Sequence, residues 1–237
     1  MTSSQSTSTR FLRGARLFLP VAVSIAAYGL VWGVLAGQAG MSVVEVALMS
    51  GLVFAGASQF VALDMWVPGQ VPIVPIIVAV AIVNLRLLLM TATLQPLARG
   101  VPRRWALPAM HVVADENWAM TMAEVQRGGG SLAFLLGTGT VSWCAWLGST
   151  LIGRLAGSAI ADPTRYGLDF AFTATFLALL FGMWRGRGDL LPWIIAGGVA
   201  VLTARLVPGN WYIIAGGLAG SLAGAAIETL RGKSHVG

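Results

Sequence analysis

The sequence predicts an all-α protein, a polytopic transmembrane helical bundle of about six to eight spans built from two internal repeats. Three observations carry this. Apolar residues make up 57% of the 237-residue chain, charged residues only 10%, and the mean hydropathy is +0.79. Uncharged runs at 17–44, 46–63, 65–85, 128–153 and 206–227 meet or approach the ~20 residues that a helix needs to cross a bilayer. Motifs from the first half recur, in order, in the second. A β-barrel is excluded, because these runs are continuous and do not alternate.

Taken in order, residues 1–16 read as a disordered cytoplasmic tail. MTSSQSTST is polar, and Arg10, Arg13 and Arg16 follow it. A single transmembrane domain occupies 17–230, and a short tail 231–237. Eight hydrophobic segments fall at about 17–39, 43–66, 71–94, 105–125, 131–157, 166–184, 190–207 and 210–230. The first run is too long for a signal-peptide core and reads as a retained span. The second carries Gly51, Gly56, Ala57 and Ser58, small residues that allow a helix to unwind and expose its backbone. In the third, Asn84 and Arg86 stand near the middle of the span. A charge at that depth costs about 2.5–3.5 kcal/mol on insertion scales and calls for a partner. The fourth segment is the least apolar, with His111, Asp115, Glu116 and Glu124; it reads as a span, a re-entrant segment or a surface helix. GVLAG (33–37), GRLAG (153–157) and the series Gly216, Gly220, Gly224 are small-xxx-small patterns, suited to close helix packing within the chain or to docking another subunit.

The repeats run over 17–128 and 131–232. GLVFAGASQFVAL (51–63) and GLDFAFTATFLAL (167–179) agree at seven of thirteen positions. AVAIVNLRL (79–87) echoes GVAVLTARL (198–206), VPRRW (101–105) echoes VPGNW (207–211), and EVQRG (124–128) echoes ETLRG (228–232). Internal repeats with a midplane site at their interface are a common transporter design. The net charge of +6 is a topology signal, with arginines at segment ends. If all eight segments span, Arg99, Arg103 and Arg104 fall outside. If the second is re-entrant and the fourth does not span, they fall inside. The sequence leaves both arrangements open.

The chemistry sits in a few polar residues. Asn84, Arg86, Ser58, Gln59, Gly56 and Asp169 are the candidate substrate-binding residues, and Asp115, Glu116 and Asp169 the candidate proton-coupling ones. A zwitterion needs a cation for its carboxylate, which Arg86 offers, and an acceptor for its amine, which Asp169 or Asp115 offers. Asp169 is the expected ion-pair partner of Arg86. Phe54, Phe60 and Phe170 suit an apolar side-chain pocket. Adjacent carboxylates at 115 and 116 suit proton coupling if buried. Asp64 reads as an interfacial end, Glu45 and Asp162 as solvated ends, and His111 as a satisfied polar residue. The lone Cys144 gives no disulfide framework or cysteine metal site. No cofactor, metal or nucleic acid is expected, and HExxH, GxSxG and P-loop motifs are absent, so no enzyme is expected.

SGLVFAGASQF (50–60), NLRLLLM (84–90), ADENWAM (114–120) and YGLDFAFTATFLALL (166–180) resemble the AzlC family of bacterial membrane proteins, which includes YgaZ-type branched-chain amino acid exporters. The resemblance implies export of branched-chain amino acids and analogues such as azaleucine, and a small membrane partner of the AzlD/YgaH type. Two polar groups of the family pattern are replaced, a usual Thr by Ala114 and a common His by Leu87. The expected function is a proton-coupled secondary exporter in the bacterial cell (inner) membrane. The alternatives are a permease subunit of an ATP-driven transporter and a non-transporting scaffold. Basic residues at both ends place both termini in the cytoplasm. Cysteines introduced at positions 5 and 235 should therefore resist an impermeant thiol reagent added to intact cells, and labelling of either reverses the topology.

Overall fold

The computed structural model describes residues 6–157, 186–208 and 211–233, together with Leu177, Leu180, Phe181 and Trp184. Among these residues the regular structure is entirely helical. The chain divides into two compact units, one of Met1–Pro72 and Val83–Ala171, the other of Ile73–Ile82 and Phe172–Gly237. Three described helices are long and apolar enough to cross a membrane: α1 (Thr7–Gln38), α4 (Ile73–Ala98) and α7 (Leu132–Gly157).

The spine of the first unit is the parallel pair α1 and α7. Its contacts are made by glycines, at which a Cβ would overlap the opposite backbone: Gly14 on Phe134, Gly33 on Thr150, Gly153 on Leu30, Gly137 on Phe11. Lipid is as apolar as leucine, so helices in it associate through close backbone approach, which small residues permit. GVLAG and GRLAG thus pack on each other within the chain. The contacts are reciprocal. Gly33 rests on Thr150 as Gly153 rests on Leu30, and Gly37 rests on Arg154 as Gly157 rests on Val34, each residue 120 positions from its counterpart. That is the pattern of a two-fold interface.

Helix α1 starts ten residues before the expected boundary at 17, so residues 7–16 are helix and not disordered tail. Ser6 caps it, its hydroxyl accepting from Thr9 N at 3.2 Å. Further along, Gly14 seats on α7 and Arg13 pairs with Glu124.

The second segment, 43–66, for which a span and a re-entrant arrangement were both open, is a hairpin. Helix α2 (Val43–Leu48) runs into a π turn (Met49–Val53), the chain breaks at Phe54–Ala55, and α3 (Gly56–Asp64) returns. At 1.5 Å per residue the arms reach about 16 and 13 Å, too short for a hydrocarbon core of about 30 Å. The arms pair near the tip, where Gln59 Nε2 donates to Ser50 Oγ at 3.2 Å. They also meet at the base, where Pro68 lies 3.2 Å from a Cβ position on Gly40. Arg154 near the C-terminal end of α7 donates to Met41 O, so both ends of this hairpin lie at that end.

The fourth segment is a second hairpin, entering from the opposite end. Helix α5 (Arg103–His111) rises, the chain turns at Val112–Ala114, and α6 (Asp115–Gln126) descends. Arms of nine and twelve residues are again too short to cross. Leu94, Ala109, Val113, Leu132 and Leu135 form one buried cluster, joined by Leu97, Val101 and Ala106. It fixes the C-terminal part of α4 and the base of α5 at the N-terminal end of α7. Helix α6 finishes at the same end, with Val125 under Gly130. Arg99, Arg103 and Arg104 therefore lie at the same end as Arg10, Arg13 and Arg16. This is the sequence arrangement in which segment two is re-entrant and segment four does not span.

In the second unit, α8 (Leu190–Leu206) and α9 (Trp211–Lys233) pack antiparallel. A Cβ on Gly216 would stand 2.9 Å from Ala200 Cβ, one on Gly220 2.7 Å from Ala196 Cβ, and one on Gly224 3.9 Å from Pro192. The small face of the last helix is thus used within the chain.

Two outcomes test this architecture. Gly153→Leu should lower the thermal midpoint in detergent, by about 1–3 kcal/mol of overpacking or more. Gly148→Leu on the same helix, where a Cβ meets nothing within 4 Å, should not. Equal behaviour of the two variants removes the glycine interface. Cysteines at Val44 and Val67 should label from one side of the membrane and cysteines at Pro102 and Arg127 from the other; opposite-side labelling within either pair makes that segment a span.

Candidate functional site

The two hairpin tips meet near the middle of α7. Hairpin one is well prepared for its break. A capping box starts α2, with Glu45 N donating to Ser42 Oγ (3.2 Å) and Ser42 N donating to Glu45 Oε2 (2.7 Å). The helix widens into the π turn and stops at Phe54, the one described non-glycine residue in the left-handed region (φ 45°, ψ 51°). Such a conformation costs of order 1–3 kcal/mol and persists where its surroundings over-determine it. Here they do. Trp143 Nε1 donates to Gly51 O at 2.9 Å, and His111 Nε2 lies 3.0 Å from the same carbonyl. Gln59, fully buried, accepts from Ala55 N (3.3 Å) and from Trp146 Nε1 (2.9 Å). Ser58 donates to Ala55 O at 2.9 Å. Gly56 is needed because a Cβ would sit 3.0 Å from the Trp146 ring.

The tip of hairpin two is stitched by Asn117. Its Oδ1 accepts from Ala114 N at 2.8 Å and its Nδ2 donates to Val112 O at 2.5 Å. Asp115 follows in the first turn of α6, where a carboxylate is favoured by the helix dipole. From α4, Arg86 Nη1 reaches Asp115 Oδ2 at 2.8 Å. The Arg86 and Asp115 side chains are 34% and 39% exposed in the protein alone, so the pair is open on one side. Across the tips, the Phe54 and His111 rings lie 6.5 Å apart. A short distance along α4, Trp118 of α6 donates to Thr93 Oγ1 at 2.9 Å.

The residues singled out in the sequence divide by role. Arg86 and Asp115 come together at the tip. Arg86 Nε and Asn84 Oδ1 are buried and have no hydrogen-bond partner among the described residues. Gly56, Ser58 and Gln59 build the break, with the Gln59 side chain occupied at both ends. Glu116 stands beside Asp115 on the exposed side. Asp169 and Phe170 lie outside the described residues. Among the described residues the carboxylate on Arg86 is Asp115, which the fourth segment carries to the tip because it turns back; the expected pairing with Asp169 falls outside the described residues. Residues missed from sequence are Trp143 and Trp146, and the hold of Asn117 on its own turn was not foreseen. The two tryptophans stand three apart on one face of α7, and Asn117 is the third residue of a helix whose N-cap is an alanine, so spacing was the available signal. No group of metal-ligating side chains occurs among the described residues.

Comparison with known proteins places this arrangement in a lineage. The chain is 33% identical over 223 residues to an uncharacterized membrane protein of Archaeoglobus fulgidus, covering 92% of this chain and 96% of that one. It is 26% identical over 211 residues to the inner membrane protein YgaZ of Escherichia coli, with 85% and 84% covered. To the branched-chain amino acid transport protein AzlC of Bacillus subtilis it is 24% identical over 201 residues, with 83% and 76% covered. No solved structure matches. The AzlC protein family profile matches residues 20–160, which hold both hairpins and the Arg86–Asp115 pair, and the chain belongs to the AzlC family.

Proposed function

We propose that this multi-pass membrane protein is a secondary transporter that exports branched-chain amino acids or close analogues across the bacterial inner membrane, with proton coupling. The observation that carries the reading is the Arg86–Asp115 pair at the junction of two opposed half-membrane hairpins. Broken helices meeting at mid-depth are a recurrent way to bind small polar solutes inside a bilayer. The pair offers both halves of a zwitterion's complement. The guanidinium takes the carboxylate, with Arg86 Nε still free to donate, and the Asp115 carboxylate takes the amine. The name of the Bacillus subtilis relative supports the substrate class. Protons enter at Asp115 and Glu116, the adjacent carboxylates at the start of α6.

Orientation follows from charge. Arg10, Arg13, Arg16, Arg99, Arg103, Arg104 and Arg127 gather at the N-terminal end of α7, opposite Glu45 and Asp64, and cytoplasmic loops carry such an excess. The charge excess supports a cytoplasmic N-terminus and, by the basic C-terminal segment, a cytoplasmic C-terminus. A small AzlD/YgaH-type subunit completes the transporter, docking on a face other than the Gly216–Gly220–Gly224 stripe, which α8 covers.

Efflux from loaded vesicles tests the site. Arg86→Ala and Asp115→Asn should each weaken apparent substrate affinity about 10–100-fold, the loss of a charge-assisted hydrogen bond of about 1.5–3 kcal/mol. An uncoupler should abolish accumulation against a gradient in the parent. Parental efflux by Arg86→Ala removes the pair from the mechanism, and flux indifferent to the uncoupler removes the proton.

A further inference from the structure

We infer that α6 (Asp115–Gln126), the returning arm of hairpin two, is the moving gate on the cytoplasmic side of the pathway, and that the Arg13–Glu124 ion pair is the latch that holds it shut. The inference rests on the transport reading for what passes the gate, and on separate observations for the gate itself.

The two hairpins are held differently. Hairpin one is fixed by neutral hydrogen bonds at its break, and Ser58, Gln59, Phe60, Val61, Ala62 and Leu63 of its return arm are all buried. In hairpin two, Ala109 is the buried residue of α5, and α6 buries Asn117, Thr121 and Glu124. The two ion pairs recorded among the described residues both clamp this hairpin, Arg86–Asp115 at its tip and Arg13–Glu124 at its base. Left-handed glycines flank both hairpins, Gly40 and Gly69 the first and Gly100 and Gly128 the second; Gly40 is packed against Pro68, whereas at both Gly100 (φ +75°) and Gly128 (φ +78°) a Cβ would meet nothing within 4 Å. Gly100 and Gly128 serve the backbone and not packing, since positive φ is open to glycine at little cost.

The latch geometry is specific. Arg13 grips the Glu124 carboxylate with both terminal nitrogens, Nη2 standing 3.2 Å from Oε2. Such a fork pairing is directional as well as strong. The Glu124 side chain is 6% exposed and Arg13 43%, so the carboxylate is committed to the protein while the guanidinium reaches in from the cytoplasmic surface. Arg13 also lies over the Phe134 ring at 5.9 Å, which fixes it to the α1–α7 spine. A side chain at Gly129 would strike the Glu124 carboxylate, so the loop after the hairpin is shaped around the closed pair. Releasing Glu124 frees the C-terminal end of α6 from the spine and lets this arm turn about Gly128, while α5 stays on the α7 cluster through Ala109 and Val113, opening the tip site inward.

The test reads access to the tip, independently of substrate. In a Cys144→Ser background, Ala114→Cys reports from the tip, and an impermeant thiol reagent is added to inside-out vesicles. Glu124→Gln and Arg13→Gln should each raise the modification rate about tenfold, while the swap Arg13→Glu with Glu124→Arg restores the parental rate. The rate from the opposite side, in right-side-out vesicles, should stay unchanged. Cysteines at 13 and 124 joined by a bifunctional thiol reagent should block leucine flux. Unchanged access in both single variants, a swap that fails to restore it, or equal gains from both sides overturns the latch. Flux through the cross-linked protein overturns the gate. Access that responds as expected in a protein that moves no amino acid leaves the gate standing and sinks the transport reading instead.

Discussion

A backbone that turns back inside a bilayer has no water to satisfy the groups it frees, and this constraint organises the first unit. Each orphaned N–H or C=O in hydrocarbon costs several kcal/mol, so non-helical chain survives at that depth only where protein supplies partners. The supply is local and redundant. The Gly51 carbonyl receives an indole from α7 and faces an imidazole from the other hairpin. Asn117 holds its own turn through both ends of its amide. Gln59 is tied to an indole, a backbone amide and a serine. These polar side chains are the condition for having breaks at all, and the breaks are the condition for a site.

The partners must also stand still, and the glycine seam between α1 and α7 makes them do so. Trp143 and Trp146 can aim at Gly51 and Gln59 only if α7 keeps its rotation and height. A seam in which Gly33, Gly37, Gly153 and Gly157 each meet the opposite chain admits one register, because sliding by a residue drives side chains into backbone. Arg154 links the seam to hairpin one through Met41 O, and Arg13 links it to hairpin two through Glu124. The reciprocal contacts 120 residues apart fit a duplicated first helix, which the sequence echoes also suggest.

What was legible in the sequence was whatever composition and small residues encode. The helical membrane class, the loosened second segment at Gly51–Ser58, the packing of GVLAG and GRLAG, and the ionic need of Arg86 all follow from local chemistry. What was not legible is direction. A run of 20 apolar residues satisfies a span and a hairpin equally, because both bury the same side chains; the difference lies in whether α7 offers indoles at the turn. For the same reason Asp115 was read as a possible amine or proton site but not as the partner of Arg86. That pairing depends on where the chain reverses. The early start of α1 at Thr7 was hidden because Arg13 and Arg16 look like a solvated tail until Glu124 and Phe134 are set beside them.

On the proposed reading, the Arg86–Asp115 pair turns a cost into a site. A buried pair replaced by apolar side chains of similar volume is often no less stable, so stability alone does not account for it. Its surroundings make sense under another demand. Arg86 spends Nη1 on Asp115 and leaves Nε without a partner among the described residues, while Asn84 Oδ1 is in the same state two positions earlier. Ser50, Ser58, Gln59, His111, Asn117, Trp143 and Trp146 at the tips are engaged in holding the turns. A donor and an acceptor left over, beside a charge pair open on one side, are what an incoming carboxylate and ammonium require. Asp115 offsets the charge of Arg86, so the insertion cost of the guanidinium is borne within the protein. On the proposed reading, a zwitterion, itself neutral overall, takes the place of the internal contact without adding net charge.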